Sequence, residues 1–182
     1  MMRHRGTALL LVGCVVLLGG CRETPRAPAL TNETVYQNDT IGLVFVTPEG
    51  WTLYAKTSLP PGALNRPLRL TAYTRTVDKF HAEFELYAVA VPPGQDVLEY
   101  LSTHKIGPDT WTPKGKPAPE TINGVPATRS ILAGVKGSTK MRREIIAFPR
   151  GDRQFLIVFT HHDADTQSRD QAQKAIDSIT WK

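Results

Sequence analysis

Cysteine is the residue that this chain has least of. The sequence holds two, Cys14 and Cys21, and both lie within its first 21 residues. Residues 22–182 therefore cannot form a disulfide, a thiolate zinc site, a CxxC redox centre or a cysteine nucleophile. The absence of cysteine after residue 21 is compatible with an oxidising compartment. Any catalytic or binding site in this part of the chain must use other residue types.

Long apolar runs are also scarce. Residues 6–20 carry no charge, but these fifteen residues are too few for a membrane span, because a spanning helix needs roughly 20 apolar residues. Arg3 and Arg5 precede the run and Arg22 follows it at once. This pattern predicts an export signal over residues 1–20 that is removed from the mature protein; an uncleaved signal anchor is the alternative.

The end of the run, Leu18-Gly19-Gly20-Cys21, resembles the lipobox of bacterial lipoproteins. The resemblance implies cleavage between Gly20 and Cys21 and acylation of Cys21, which becomes the membrane anchor. Arg22 stands where an Asp would retain a lipoprotein at the inner membrane. The expected location is the cell envelope, facing the periplasm, with the outer membrane preferred.

An excess of charge of one sign is absent as well. After removal of residues 1–20 the chain has 20 Lys and Arg against 17 Asp and Glu. So small and scattered an excess, in an exported protein, argues against nucleic acid as a partner. We expect the membrane, reached through the lipid on Cys21, and an envelope protein complex as partners instead.

The exported chain divides into a tether and one domain. Residues 21–34 hold the lipidated cysteine and then a polar, proline-bearing stretch without apolar periodicity. Its thirteen residues after Cys21 reach at most about 43 Å, so the domain stays near its membrane. Residues 35–182 are long enough for a single domain with its own core.

Apolar alternation within the domain predicts strands joined by turns. The helices are expected to begin at Asp96 and near Asp165, each capped by its aspartate, with Gly107-Pro108 ending the first. Residues 107–124 contain four prolines and predict a long loop, while residues 134–137 and 149–152 predict hairpin turns. The predicted strands cover residues 41–46, a stretch from residue 51, and residues 68–75, 80–91, 125–133, 140–148 and 154–160.

This order of elements predicts an α+β fold with a mainly antiparallel sheet. The start of the domain contains Tyr36-x-Asn38, residues 42–45 and Pro48-x-Gly50-Trp51. Through these residues it resembles the start of the PsbP-like family, which includes DcrB-like envelope lipoproteins. Residues 155–158 and the closing pattern over residues 172–181 are similar to the last strand and helix of that family. The resemblance implies an α/β/α sandwich of sheet and flanking helices that serves as an assembly or interaction module, with no shared catalytic residues.

The best candidate for ligand or metal binding is His161-His162-Asp163, since imidazole and carboxylate are common ligands of zinc and similar ions. Neighbouring residues on a strand point to opposite faces, so His161 and His162 cannot easily share one ion. The competing interpretation is a strand end followed by a helix that Asp163 or Asp165 caps. His81-Ala82-Glu83 lacks the cysteines of a zinc deaminase, so pairing of these carboxylates with Arg69, Arg75 or Arg142 is expected.

Trp111, Lys114 and Lys116 form the candidate contact for a partner, because aromatic anchors and flanking lysines are typical of interfaces with acidic surfaces. The alternative is that Trp111 folds back and covers its own sheet.

No motif of a hydrolase, metalloprotease or nucleotide-binding loop occurs in the sequence. We therefore expect a non-enzymatic lipoprotein without a cofactor, acting as an accessory or assembly module. A periplasmic carrier or sensor for a small ligand or metal is the alternative, and an unrecognised hydrolase is a third.

Overall fold

A computed structural model describes residues 34–77, 79–91, 95–104 and 111–182. The predicted signal, the Gly20–Cys21 cleavage site and the tether up to residue 33 lie outside the described residues, as does Gly107-Pro108. Within the described ranges, no helix is long and apolar enough to cross a membrane.

These ranges contain eleven strands and two helices. In chain order they are β1 (Val35–Asn38), β2 (Leu43–Val46), β3 (Thr52–Lys56), β4 (Leu68–Val77), β5 (Phe80–Val89), α1 (Val97–Thr103), β6 (Trp111–Pro113), β7 (Ala118–Ile122), β8 (Val125–Lys136), β9 (Thr139–Arg150), β10 (Arg153–His162), α2 (Thr166–Asp177) and β11 (Thr180–Trp181). The predicted α+β fold is confirmed, because every strand pair is antiparallel and two helices accompany the strands.

The strands form two sheets. The large sheet runs β3-β4-β5-β10-β9-β8-β6, with β7 pairing β8 as well, and the small sheet runs β1-β2-β11. One face of the large sheet packs against the small sheet and α2 through residues such as Phe84, Ile157 and Ala172. The opposite face packs against α1 through residues such as Tyr100 and Val158. We call these the α2 face and the α1 face.

Both helices begin where local chemistry predicts. The Asp96 carboxylate accepts hydrogen bonds from the backbone N–H groups of Leu98 and Glu99, at 2.8 and 3.2 Å. Asp165 accepts from the backbone N–H of Ser168 at 3.0 Å. Each cap satisfies N–H groups that the first helical turn leaves without a partner.

The long loop predicted over residues 107–124 is wrong for its described part, which contains β6 and β7. Both strands pair along the twelve-residue β8, and among the described strands each has a neighbour on one side only. Proline is tolerated in such edge strands, where its missing N–H does not interrupt a ladder. The prolines therefore concealed two strands from an analysis based on composition.

The turn between β8 and β9 also differs from the prediction. β8 continues through Gly134 to Lys136, which pairs with Thr139. The turn consists of Gly137 and Ser138 alone, and Gly137 has a φ of +63°, as two-residue hairpin turns require. The two strands therefore form a long ribbon, β8–β9, whose tip lies at Gly137.

Candidate functional site

The tip half of the β8–β9 ribbon carries an open groove on the α2 face. Residues 131, 133 and 135 share this face because side chains alternate along a strand. The groove has a volume of about 820 Å³. We call it the ribbon groove. Its apolar floor consists of Ile131, Ala133 and Val135, and its charged walls consist of Lys114, Lys140 and Asp163.

The ribbon groove combines exposed apolar surface with positive charge. Val135 is 63% exposed, the most exposed of the three large hydrophobic side chains that are exposed among the described residues. Lys114 and Lys140 are exposed, whereas Arg142 of the same face is paired with Glu144 at 3.0 Å. Asp163 supplies the one carboxylate of the lining, so the groove favours a negatively charged occupant.

Two predicted sets of site residues meet at this groove in part. Lys114 comes from the predicted partner contact and Asp163 from the predicted ligand cluster, 49 positions apart in the chain. The backbone places them: Lys114 N–H donates to the Ile131 carbonyl at 2.8 Å, and Asp163 N–H donates to the Lys140 carbonyl at 3.0 Å. Lys116 is exposed but does not line the groove.

His161 lies inside the protein rather than in the groove. It is 1% exposed and stacks on Phe159 with ring centroids 4.4 Å apart. Its Nδ1 is 2.8 Å from the carbonyl oxygen of His162, while its Nε2 is buried without a hydrogen-bond partner among the described residues. Burial lowers the pKa of His161, so the neutral ring with its proton on Nδ1 fits this environment.

His162 and Asp163 do not converge with His161 on one point. His162 stacks on Phe80 at a centroid distance of 5.7 Å, whereas His161 stacks on Phe159. The described residues contain no group of three histidine, cysteine, aspartate or glutamate side chains placed to hold a metal ion. Within those ranges, Asp165 serves the adjacent helix as its cap.

Trp111 lies on the α1 face, away from Lys114. Its ring packs beside the cluster that includes Leu132, and the guanidinium carbon of Arg143 lies 4.5 Å from the ring centroid. Arg143 is 4% exposed, and its Nε donates to the hydroxyl of Thr160 at 2.9 Å. Burial is the main cause that lowers the pKa of Arg143, and nearby carboxylates oppose it. Trp111 thus covers a buried charge of its own sheet.

Two glutamates of β5 lie on this same face. Glu85 accepts hydrogen bonds from three groups: Tyr87 at 2.9 Å, Arg69 at 3.1 Å and Tyr54 at 3.2 Å. Burial, followed by the charge of Glu85, raises the pKa of Glu83. The pairing with Arg69 that was expected for Glu83 is present at its neighbour on the same face, Glu85.

A second charged network braces the other half of the ribbon. Arg129 donates to Glu120 at 2.8 and 2.9 Å, to Glu144 at 2.6 Å and to Gln173 of α2 at 3.1 Å. Arg142 donates to the second oxygen of Glu144 at 3.0 Å. Sequence reasoning did not identify this network, because its members come from four different elements. Because Arg129 also donates to Gln173, the network joins α2 to the sheet.

No protein-family model matches the sequence, and no curated protein matches it. Among solved structures, the fold is similar to one from Bacteroides thetaiotaomicron, with a TM-score of 0.50 and 10% identity, over 84% of this chain and 49% of that one. This chain thus spans about half the length of that protein. It is also similar to LpqN, involved in cell envelope biogenesis of Mycobacterium tuberculosis (TM-score 0.45, 15% identity, 76% of this chain and 83% of that one). A third similar structure is PA94 of Pseudomonas aeruginosa, a protein of unknown function (TM-score 0.49, 14% identity, 72% of this chain and 97% of that one). At these identities the likeness to the first structure shows a shared α+β fold and nothing about activity.

Proposed function

We propose that this protein is an envelope lipoprotein whose domain is a non-enzymatic interaction module, and that the ribbon groove binds an acidic segment of an envelope protein. The observation that carries the proposal is the groove itself, where exposed Val135 lies beside the cations Lys114 and Lys140. A partner segment with an apolar side chain flanked by Asp or Glu matches this surface in both polarity and charge.

The anchor in this proposal rests on the sequence. Leu18-Gly19-Gly20-Cys21 has the form of a lipobox, and the thirteen residues after Cys21 keep the domain within about 43 Å of the membrane. A periplasm-facing position, with the outer membrane preferred, follows from Arg22. Tethering raises the local concentration of the domain beside other envelope proteins, which favours even weak contacts.

The PsbP-like assignment is supported by how its motif residues pack. Tyr36 stacks on Phe45 with centroids 4.9 Å apart. The Ser178 hydroxyl accepts from the backbone N–H of Val46 at 2.8 Å and donates to the Ala175 carbonyl at 2.7 Å. These contacts join both ends of the domain, so the quoted motifs serve packing, as the resemblance implies.

A protein segment suits the groove better than a small metabolite. Small-molecule sites bury most of their ligand, whereas Thr112, Lys114, Val135 and Lys140 of this lining are exposed. The charged networks elsewhere point away from catalysis, since Glu85 and Arg129 each have three partners that hold them in place.

The test is site-specific photo-crosslinking in living cells with the full chain. A crosslinking amino acid replaces Val135 in one strain and Val46 in a control strain; Val46 is 52% exposed but belongs to the small sheet. We expect capture from position 135 of one envelope protein, with the linked peptide rich in Asp or Glu, and no such capture from position 46. The double variant Lys114→Glu and Lys140→Glu should abolish that capture.

Three outcomes would overturn the proposal: capture that survives the double charge reversal, equal capture from both positions, or crosslinks to lipid or to residues 22–33 of the chain itself. A parallel strain with Cys21→Ser tests the anchor separately. We expect it to lose membrane association and acylation, as read by fractionation and mass spectrometry of the mature N-terminus. An intact Met1 with unmodified Cys21 in the parent strain would contradict the lipoprotein assignment.

A further inference from the structure

A small pocket lies on the α1 face, behind the ribbon groove. Its volume is about 70 Å³, which is room for about two waters or one small polyatomic ion. The side chains that give it its chemistry are Trp111, Arg143, Thr160, Glu83, Lys136 and His81. They come from five strands, β5, β6, β8, β9 and β10, so the pocket exists only in the folded sheet.

One buried donor of this pocket lining has no acceptor. Trp111 Nε1 is buried without a hydrogen-bond partner among the described residues, and a buried N–H of this kind is costly to leave unsatisfied. The other two tryptophans are satisfied: Trp51 Nε1 donates to Gln171 at 3.0 Å, and Trp181 Nε1 donates to the Ile122 carbonyl at 3.1 Å. The contrast marks the surroundings of Trp111 as a place suited to an acceptor atom.

The charges of the lining favour an anion. Arg143 and Lys136 supply two positive charges, and Glu83 supplies one carboxyl group. Arg143 is buried against the Trp111 ring, where the low local polarity strengthens its interaction with a nearby charge. Because burial and Glu85 raise the pKa of Glu83, this carboxyl gains a proton more readily than an exposed one.

We propose that this pocket binds a small oxyanion, of the size of a carboxylate group or inorganic phosphate, with the indole N–H of Trp111 as donor and Arg143 and Lys136 as the attracting charges. The proposal is independent of the groove and its protein partner. It assigns to Trp111 a role in ligand binding from within the sheet, in place of a contact with a partner surface.

The test follows the three indole N–H signals by ¹⁵N NMR, using the lipidated full chain in a non-ionic detergent. Inorganic phosphate and acetate are titrated separately at constant ionic strength, with sodium chloride as the balancing salt. We expect the Trp111 signal to shift with saturation for at least one of the two anions, while the signals of Trp51 and Trp181 stay in place as internal controls. The two arms distinguish a tetrahedral from a planar oxyanion.

Two variants sharpen the test. Trp111→Phe keeps an aromatic ring beside Arg143 but removes the indole N–H. The indole signal that disappears in this variant is that of Trp111. If the N–H is needed for binding, the saturable shifts of the neighbouring backbone amides should disappear as well. Lys136→Ala removes an exposed cation and should weaken binding about three- to tenfold. An unmoved Trp111 signal with both anions, a linear shift shared by all three indoles, or unchanged binding in both variants would overturn the proposal.

Discussion

The two halves of the β8–β9 ribbon differ in how their charges are used. In the half that α2 covers, Arg129 and Glu144 are held by ion pairs and by Gln173 of the helix. In the tip half, Lys140 and Val135 face solvent across the groove. The same two strands therefore serve as a structural brace where a helix lies on them and present a binding surface where none does.

The largest expected effect is at the covered half. Arg129→Met removes the partner of two carboxylates, one of them the largely buried Glu144. We expect the free energy of unfolding to fall by about 2–3 kcal/mol, because Glu120 loses Arg129 and the largely buried Glu144 keeps only its contact with Arg142 among the ion pairs of this network. Urea unfolding measures this.

The matched change at the tip, Lys140→Met, should alter the free energy of unfolding by less than about 0.5 kcal/mol. Equal losses in Arg129→Met and Lys140→Met would mean that the halves do not differ in the way described.

A glycine pair gives the next contrast. Gly42 and Gly137 have similar positive φ angles, +67° and +63°, but a Cβ at Gly42 would lie 2.5 Å from the Lys182 carbonyl oxygen, whereas one at Gly137 meets nothing within 4 Å. Alanine should cost about 1–2 kcal/mol at Gly137 from backbone strain alone. The cost at Gly42 should exceed that because the backbone of Lys182, which donates to the Gly42 carbonyl at 2.8 Å, must move. Thermal unfolding of both variants checks the order, and a larger loss at Gly137 would contradict it.

His161, in the strand next to the ribbon, predicts a pH effect on stability. Burial lowers its pKa in the folded state below the ordinary value of 6.5, so the unfolded chain takes up this proton first as the pH falls. Its contribution to stability is thus complete above about pH 6.5 and is lost below it, by at most about 1.4 kcal/mol per pH unit. Glu83, with its raised pKa, acts with the opposite sign.

The measurement is urea unfolding from pH 7.5 to pH 5 for the parent chain and for His161→Phe. We expect the variant to lose part of the decline in stability toward low pH. His162→Phe is the control and should retain the decline of the parent. A variant at His161 with an unchanged pH profile would contradict the buried neutral histidine.

The smallest effect is expected at the tip itself. Val135→Ser should change the melting temperature very little, because the side chain is largely exposed and loses few contacts on substitution. A clear loss of stability would mean that Val135 belongs to the core. In that case the ribbon groove would not offer the apolar surface that the proposed partner requires.

The sequence alone predicted the features that depend on nearby residues. The caps at Asp96 and Asp165 are local hydrogen bonds, and the alternation in β5 follows from the two-residue pleat. The apolar stripe of Ala172, Ala175 and Ile176 follows from the helical repeat. The prolines misled the same reasoning at β6 and β7, because a strand at the edge of a sheet is defined by its neighbour rather than by its own composition.

What the sequence by itself determined is therefore the α+β character, the helix starts, the buried face of β5 and the lipobox-like segment. The tertiary structure decided which strands became neighbours, and hence that Lys114 and Asp163 line one groove while Trp111 turns to Arg143 on the other face. The physical reason is that pleat, repeat and cap depend on residues a few positions apart. Pairing between β6, β8 and β9 joins segments that nothing local in the sequence relates.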